Sequence, residues 1–244
     1  MSIAVADSLR GWRGLRPLPC MGWGARNVVH FKMGYYIRVL GVRDPEVSLA
    51  DLSAALHTAG LAATLKEVRG RPGGVVGEAP AGGRWVKTVV SDANGGLLAE
   101  IERNPVAPGE FGQQELAEFR ELIRGEEPQS AVRWLSDYFE RVVVIYAFRI
   151  LDAAYEDNNY EIIIALRSAI WERTGGLLQS DGEGFSNEGG YHILWQWDES
   201  VSGDRYCAVL DEEGEWQRFR MDLGDHFQRM AFRAGLVPQM AVRL

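Results

Sequence analysis

The residues best suited to chemistry crowd into one stretch, Gly175 to Trp197, which reads GGLLQSDGEGFSNEGGYHILWQW. Asp181, Glu183, Asn187 and Glu188 carry the oxygen atoms that a hard cation such as Ca²⁺ or Mg²⁺ takes as ligands. Asp181 and Glu183 are two residues apart. On an extended chain they share a face and suit a general acid and base, with His192 as a neighbouring ligand or base. Metal-assisted hydrolysis is the reaction such a set serves. The spacing departs from the EF-hand loop, which needs Asp-x-Asp-x-Asp-Gly and a later Glu. The plainer reading of Asp181 to Gly190 is a solvated hairpin tip, because Gly, Asn and Asp are turn formers.

Other chemistries find little material. The chain has neither the phosphate-cradling GxxxxGK[ST] pattern nor the GxSxG of a serine nucleophile. Cys20 and Cys207 stand in no CxxC pair or Cys/His cluster, so neither structural zinc nor a disulfide framework is expected. The histidines are His30, His57, His192 and His226, and His57 and His226 fall on helical stretches. A divalent cation is therefore the one cofactor the residues suggest, and otherwise none is expected.

The second candidate is a surface. From Gly176 to Trp216 ten acids face Arg205 alone. Trp195, Trp197 and Trp216 lie in or beside that segment, and Trp is enriched at binding hot spots. Together they predict a binding protein of the inhibitor or immunity type, which meets a basic protein through an acidic surface in residues 176–216. The competing reading of alternating tryptophans in a strand is core. The net charge of −8 speaks against nucleic acid as a partner, because phosphates demand a basic face.

The elements that must position these residues follow from periodicity. Tyr35 to Gly41 reads as a strand. Ser48 caps a helix to Thr58, and Leu61 to Val68 reads as a strand again. Arg69 to Gly83 is a loop rich in Gly and Pro. Trp85–Ser91 and Leu97–Arg103 form a hairpin around Asn94-Gly95, and Asn104-Pro105 breaks the sheet. Phe111 to Arg124 is a helix that buries Leu116, Phe119, Leu122 and Ile123 and turns Glu115, Glu118 and Glu121 to solvent. Pro128 starts another helix, with Val132, Leu135 and Phe139 on its stripe and Trp134 and Tyr138 beside it. The apolar run Val142 to Phe148 predicts a central strand buried on both faces. Asn158 and Glu161 predict a capping box for a helix to Arg173, stopped by Gly175-Gly176. Leu177–Gln179 and His192–Trp197 read as strands, the second placing His192, Leu194 and Gln196 on one side and Ile193, Trp195 and Trp197 on the other. A hairpin around Asp211–Glu215 and a helix over Asp225 to Arg233 complete the chain.

This order predicts an α+β fold, two-layered, with mixed or antiparallel sheets and helices on one face. The pattern strand, helix, several strands, helix recurs in 35–124 and 142–234, so two structurally similar halves are expected, 33–127 and 128–244. Residues 1–32 are unlike the rest. Their basic residues, Arg10, Arg13, Arg16, Arg26 and Lys32, face only Asp7, and Gly and Pro punctuate them. They read as a disordered extension or a misassigned start before Met33. A hydrophobic content of 46% suits a packed core, and no apolar run approaches a membrane span. Preference for Arg over Lys with abundant Ala and Gly suggests a bacterial genome, and the cysteine usage a reducing cytoplasm.

Overall fold

The computed structural model describes residues 34–68, 84–156 and 158–244. The expected N-terminal extension and the whole Arg69–Gly83 loop lie outside the described residues. Two antiparallel sheets organise the rest. The larger contains β1 (Tyr35–Gly41), β2 (Ala63–Glu67), β3 (Lys87–Asp92), β4 (Leu97–Pro105), β5 (Val144–Ile150), β6 (Leu177–Ser180) and β7 (Gly184–Phe185), in the order β2-β3-β4-β5-β1-β6-β7. The smaller contains β8 (Asp204–Leu210), β9 (Trp216–Asp222) and β10 (Val242–Arg243), in the order β10-β9-β8. The α+β class and the antiparallel pairing read from the sequence are what the structure has.

The apolar run around Val144 becomes the middle strand of the larger sheet, and all of β5 is buried except Arg149. β1 lies between β5 and β6, so strands from before and after residue 128 share one sheet. The helices divide between its faces. Leu52 and Leu56 of α1 (Leu49–Thr58), with Ile162, Ile163, Leu166 and Ile170 of α4 (Asn159–Thr174), pack on Ile37, Val39 and Phe148. Leu116 and Phe119 of α2 (Phe111–Leu122), with Leu135 and Tyr138 of α3 (Gln129–Tyr138), pack on Leu40, Ile145 and Leu177. Strand alternation dictates this division, because Ile37 and Val39 point one way and Leu40 the other, and both sets are apolar. Phe232 of α5 (His226–Arg233) closes a third cluster against Phe219, Cys207 and Trp195 on the smaller sheet. Among the described residues no helix is long and apolar enough to cross a membrane.

Several local expectations hold. Ser48 caps α1 as expected, in a reciprocal box with Asp51, and the last helix forms from His226, with Asp225 as its cap accepting from the Phe227 and Gln228 amides. Gly176 adopts φ 94° where a Cβ would stand 1.8 Å from the Leu40 carbonyl oxygen, so only glycine carries the chain from α4 into β6.

Other expectations change. Asn158 makes no side-chain cap to α4, since its backbone is not extended as capping requires (φ −102°, ψ 16°). β4 runs on through Pro105, which as the last strand residue sacrifices no interior ladder bond. His192 to Trp197 is not an alternating strand. The His192 amide bonds the Tyr206 carbonyl, Ile193 bonds Phe185, and Trp195 bonds Glu127. The segment is wedged between the two sheets, and every residue in it except Gln196 is buried. Buried on both sides, it has no solvent face to alternate towards, and its backbone groups find partners one at a time.

Candidate functional site

β6 and β7 turn tightly at Asp181-Gly182-Glu183, with Ser180 opposite Gly184. The turn parts the two acids. Asp181 is bonded through its amide to the Tyr36 carbonyl, and its Oδ1 accepts from Arg38 Nη1 at 2.6 Å. Glu183 Oε1 accepts from the Tyr35 hydroxyl at 2.9 Å. Tyr35 and Tyr36 are consecutive residues of β1 and point to opposite faces of the sheet. The acid pair predicted on one face is thus split, with Asp181 on the α2 side and Glu183 on the α4 side.

On the α2 side Arg38 is the hub. It donates from Nε to Glu115 Oε1 at 2.6 Å and from Nη1 to Gln179 Oε1 at 2.7 Å as well as to Asp181. Its guanidinium lies over the rings of Tyr36 and Phe119, at 4.9 and 5.4 Å from their centroids. Glu115, expected on a solvated helix face, is 6% exposed. Burial pushes its carboxyl above the usual range, and the Arg38 charge pulls only part of the way back. The sequence carried the signal for this. Glu115 precedes Leu116 and lies four residues before Phe119, so helical spacing sets it at the edge of the buried stripe.

On the α4 side Glu183 meets a buried polar group. His192 Nε2 is 3.9 Å from Glu183 Oε2. The His192 ring packs edge-on to Trp197 at 4.7 Å. Complete burial, with the Arg205 charge nearby, lowers its pKa to about 3. A histidine that stays neutral through the physiological range is a poor proton donor and a weak base. Burial and the Glu183 charge raise the Tyr35 hydroxyl well above its ordinary value, so it remains a donor to Glu183.

The remaining predicted ligands are occupied elsewhere. Asn187 is 2% exposed, and its Oδ1 accepts from the Gly189 and Tyr191 amides as a turn lock. Glu188 accepts from the Tyr138 hydroxyl at 2.9 Å and pairs with Arg141 at 3.5 Å. Among the described residues no three His, Cys, Asp or Glu side chains gather closely enough to hold a metal ion. Cys207 is a free, buried strand cysteine whose thiol is held protonated by burial.

The tryptophans also part company. Trp195 and Trp197 are each 5% exposed and pack edge to face at 5.1 Å within the third core cluster. They are core and are not presented to a partner. Trp216 opens β9 and is half-buried against Trp134 of α3, edge to face at 5.1 Å. Trp134 in turn stacks at a tilt on Tyr138 at 4.8 Å, and Tyr138 carries Glu188 on its hydroxyl. Trp216 and Trp134 thus form a half-buried ridge, from which contacts run inward to the buried Tyr138 and on to Glu188. Trp134 was legible only as a residue one step off the α3 stripe, and nothing in the sequence pointed from it to Trp216.

The acidic segment is less acidic in space than along the chain. Asp181 pairs with Arg38, Glu188 with Arg141, Asp204 with Arg220, and Glu199 with both Arg229 and Arg233. Asp198 accepts from the Ser200 amide and hydroxyl, and Asp211 from the Glu215 amide and Gln217. With Glu183 held by the Tyr35 hydroxyl, Glu212, Glu213 and Glu215 remain. They are exposed on the turn that opens directly onto Trp216, and among the described residues no basic side chain lies within 4.0 Å of them. The chain matches no protein-family model, no curated protein and no solved structure.

Proposed function

We propose that the protein is a binding protein of the inhibitor or immunity type, that its contact face is the Trp134–Trp216 ridge, and that its partner is basic. The observation that carries this reading is the joining of two half-buried, edge-to-face tryptophans to a turn holding three exposed, unneutralised glutamates. Large rigid aromatics provide contact area at little entropic cost, and nearby acids steer a cationic partner to them. The metal-assisted hydrolase reading needs Asp181 and Glu183 on a common face, and the β6–β7 turn gives it no support.

The test is a photo-crosslinking side chain placed at position 213 of the full-length protein in the cells that make it, with position 66 on the far edge strand as control. The expected result is a covalent adduct to a basic protein from 213 and none from 66. Trp134→Ala with Trp216→Ala should abolish the adduct, since loss of a hot-spot aromatic costs about 2 kcal/mol or more, roughly 30-fold in affinity. An inhibitor or immunity role predicts further that the captured protein, expressed alone, is toxic or active and is silenced by co-expression. The same adducts from both positions, or adducts indifferent to the tryptophans, would remove this face as the contact site.

A further inference from the structure

We propose that the solvent-facing side of α5 is a docking surface for a second copy of this chain, and that two copies pair their α5 helices antiparallel across a two-fold axis. The proposal does not depend on the reading of the ridge.

The observation behind it is a helix turned inside out. Phe227, Met230 and Ala231 of α5, with Ala234 at its C-cap, fall at i, i+3, i+4 and i+7, which is one face. That apolar stripe points to solvent. Phe227 is 83% exposed and Met230 56%, and Leu236, just past the helix, is 61% exposed. The charged side chains are turned to the protein instead. Arg229 and Arg233 pair with Glu199, Arg233 also pairs with Glu127, and Asp225 caps the helix. Phe232 is buried on that same inner side, against Phe219. A surface helix ordinarily turns its apolar stripe to the core and its charges to water. Covering this stripe therefore takes a second surface.

The stripe is complementary to itself. It is bulky at one end and small at the other. A two-fold axis between positions 230 and 231 sets Phe227 of one copy against Ala234 of the second, and Met230 against Ala231. Each bulky side chain then enters the space left by a methyl group, and the small residues let the two backbones come close. The helix dipoles run opposed. The stripe carries no charged group, so pairing desolvates none, although each chain has a net charge of −8. A lipid surface fits this helix poorly. A membrane-lying helix flanks its apolar face with Lys and Arg that reach the head groups, whereas both α5 arginines are held by carboxylates.

The area sets the strength. With about 200 Å² for a bare phenylalanine side chain and less for the others, the stripe and Leu236 offer roughly 450 Å² per copy. About 900 Å² over two copies lies at the low end for specific association, so the pair should dissociate in roughly the micromolar range or above. Trp216 and Phe219 point to opposite faces of β9, so α5 lies behind the smaller sheet from Trp216 and pairing leaves Trp216 open in each copy.

Sedimentation equilibrium of the full-length protein from about 1 μM to 1 mM should show monomer and dimer in exchange. A photo-crosslinking side chain at position 230 should give a covalent dimer joined within residues 227–234 of the second copy. Phe227→Ala should weaken pairing about 30-fold or more, and Ala234→Phe should block it by setting Phe against Phe. The two changes in one chain exchange the ends of the stripe, put bulky against small again, and should recover most of the affinity. Both positions are exposed, and thermal melts in dilute solution should show each variant folded. A monomer throughout the range, a dimer indifferent to Phe227→Ala, a double exchange no better than the single changes, or a crosslink from position 230 confined to its own molecule overturns the proposal.

Discussion

Arg38→Met is the most informative single perturbation of the interior. The side chains of Arg38 and Glu115 are 14% and 8% exposed, and they meet at 2.6 Å. Methionine keeps the length and apolar stem of arginine, so the change removes charge and hydrogen bonds more than volume. Glu115 is then left buried with an uncompensated carboxylate, and breaking such a pair costs about 3–5 kcal/mol. Gln179, 3% exposed, also loses its donor. Asp181, at 42%, is free to turn to water and adds little. For a chain of this size the loss corresponds to a fall in Tm of roughly 6–20 °C. The pH dependence separates this account from simple loss of packing. Glu115 has a folded pKa above its unfolded value because of burial, so it binds its proton more tightly when folded. Its stabilising contribution is complete below the unfolded pKa and disappears as pH rises through the folded one. Removal of the Arg38 charge takes away the main influence that lowers that pKa, so the folded value moves up further. Arg38→Met should therefore be much less damaging at pH 5 than at pH 8 in urea titrations followed by circular dichroism. Arg38→Met with Glu115→Met should recover more than half of the loss at pH 8. A loss below about 1 kcal/mol, or one equal at both pH values, would show that Glu115 is effectively in water and refute the reasoning.

Further outcomes follow from other positions. His192, lowered to about pKa 3 by burial, contributes stability that is present above its unfolded pKa near 6.5 and is lost as pH falls towards 3; its ring resonances should not titrate between pH 5 and 8 by NMR. Gly176→Ala puts a methyl 1.8 Å from the Leu40 carbonyl oxygen at φ 94° and should prevent stable folding, whereas Gly182→Ala, with φ 70° and nothing within 4 Å, should cost about 1–2 kcal/mol in the same denaturation assay. Asp225→Ala removes the acceptor for two amides at the start of α5 and should cost about 0.5–2 kcal/mol, with Asp225→Asn much milder.

Local pattern made much of the fold legible. Ser48 with Asp51, Asn94-Gly95, Gly175-Gly176 and the apolar run through Val144 each specify a structure through bonds made within a few residues or through burial on both sides. The failures share a different cause. Asn158 looked like a cap, yet side-chain capping requires an extended backbone, which Asn158 does not have. Glu115 looked like a solvent acid because its neighbours Glu118 and Glu121 are, and only its distant partner Arg38 makes its burial tolerable. His192 to Trp197 mimicked a strand by composition, while its conformation is dictated by two sheets that close on it from either side. None of those partners lies within reach of a sequence window.

Charge shows the same limit and decides where function should be sought. Along the chain, residues 176–216 form an almost unbroken acidic segment. In space, Arg38 arrives from β1, Arg141 from beyond α3, Arg220 from β9, and Arg229 with Arg233 from α5, and they neutralise Asp181, Glu188, Asp204 and Glu199. Four of the ten acids are thereby spent on holding elements together. Among the described residues, the acids of this segment whose side chains neither pair with an arginine nor accept a hydrogen bond are the three on the turn beside Trp216, and these have most freedom to act on another molecule. The stretch richest in reactive residue types thus serves chiefly as internal fastening. The adjoining hairpin, whose residues carry no catalytic signature, holds three exposed glutamates next to the half-buried Trp216.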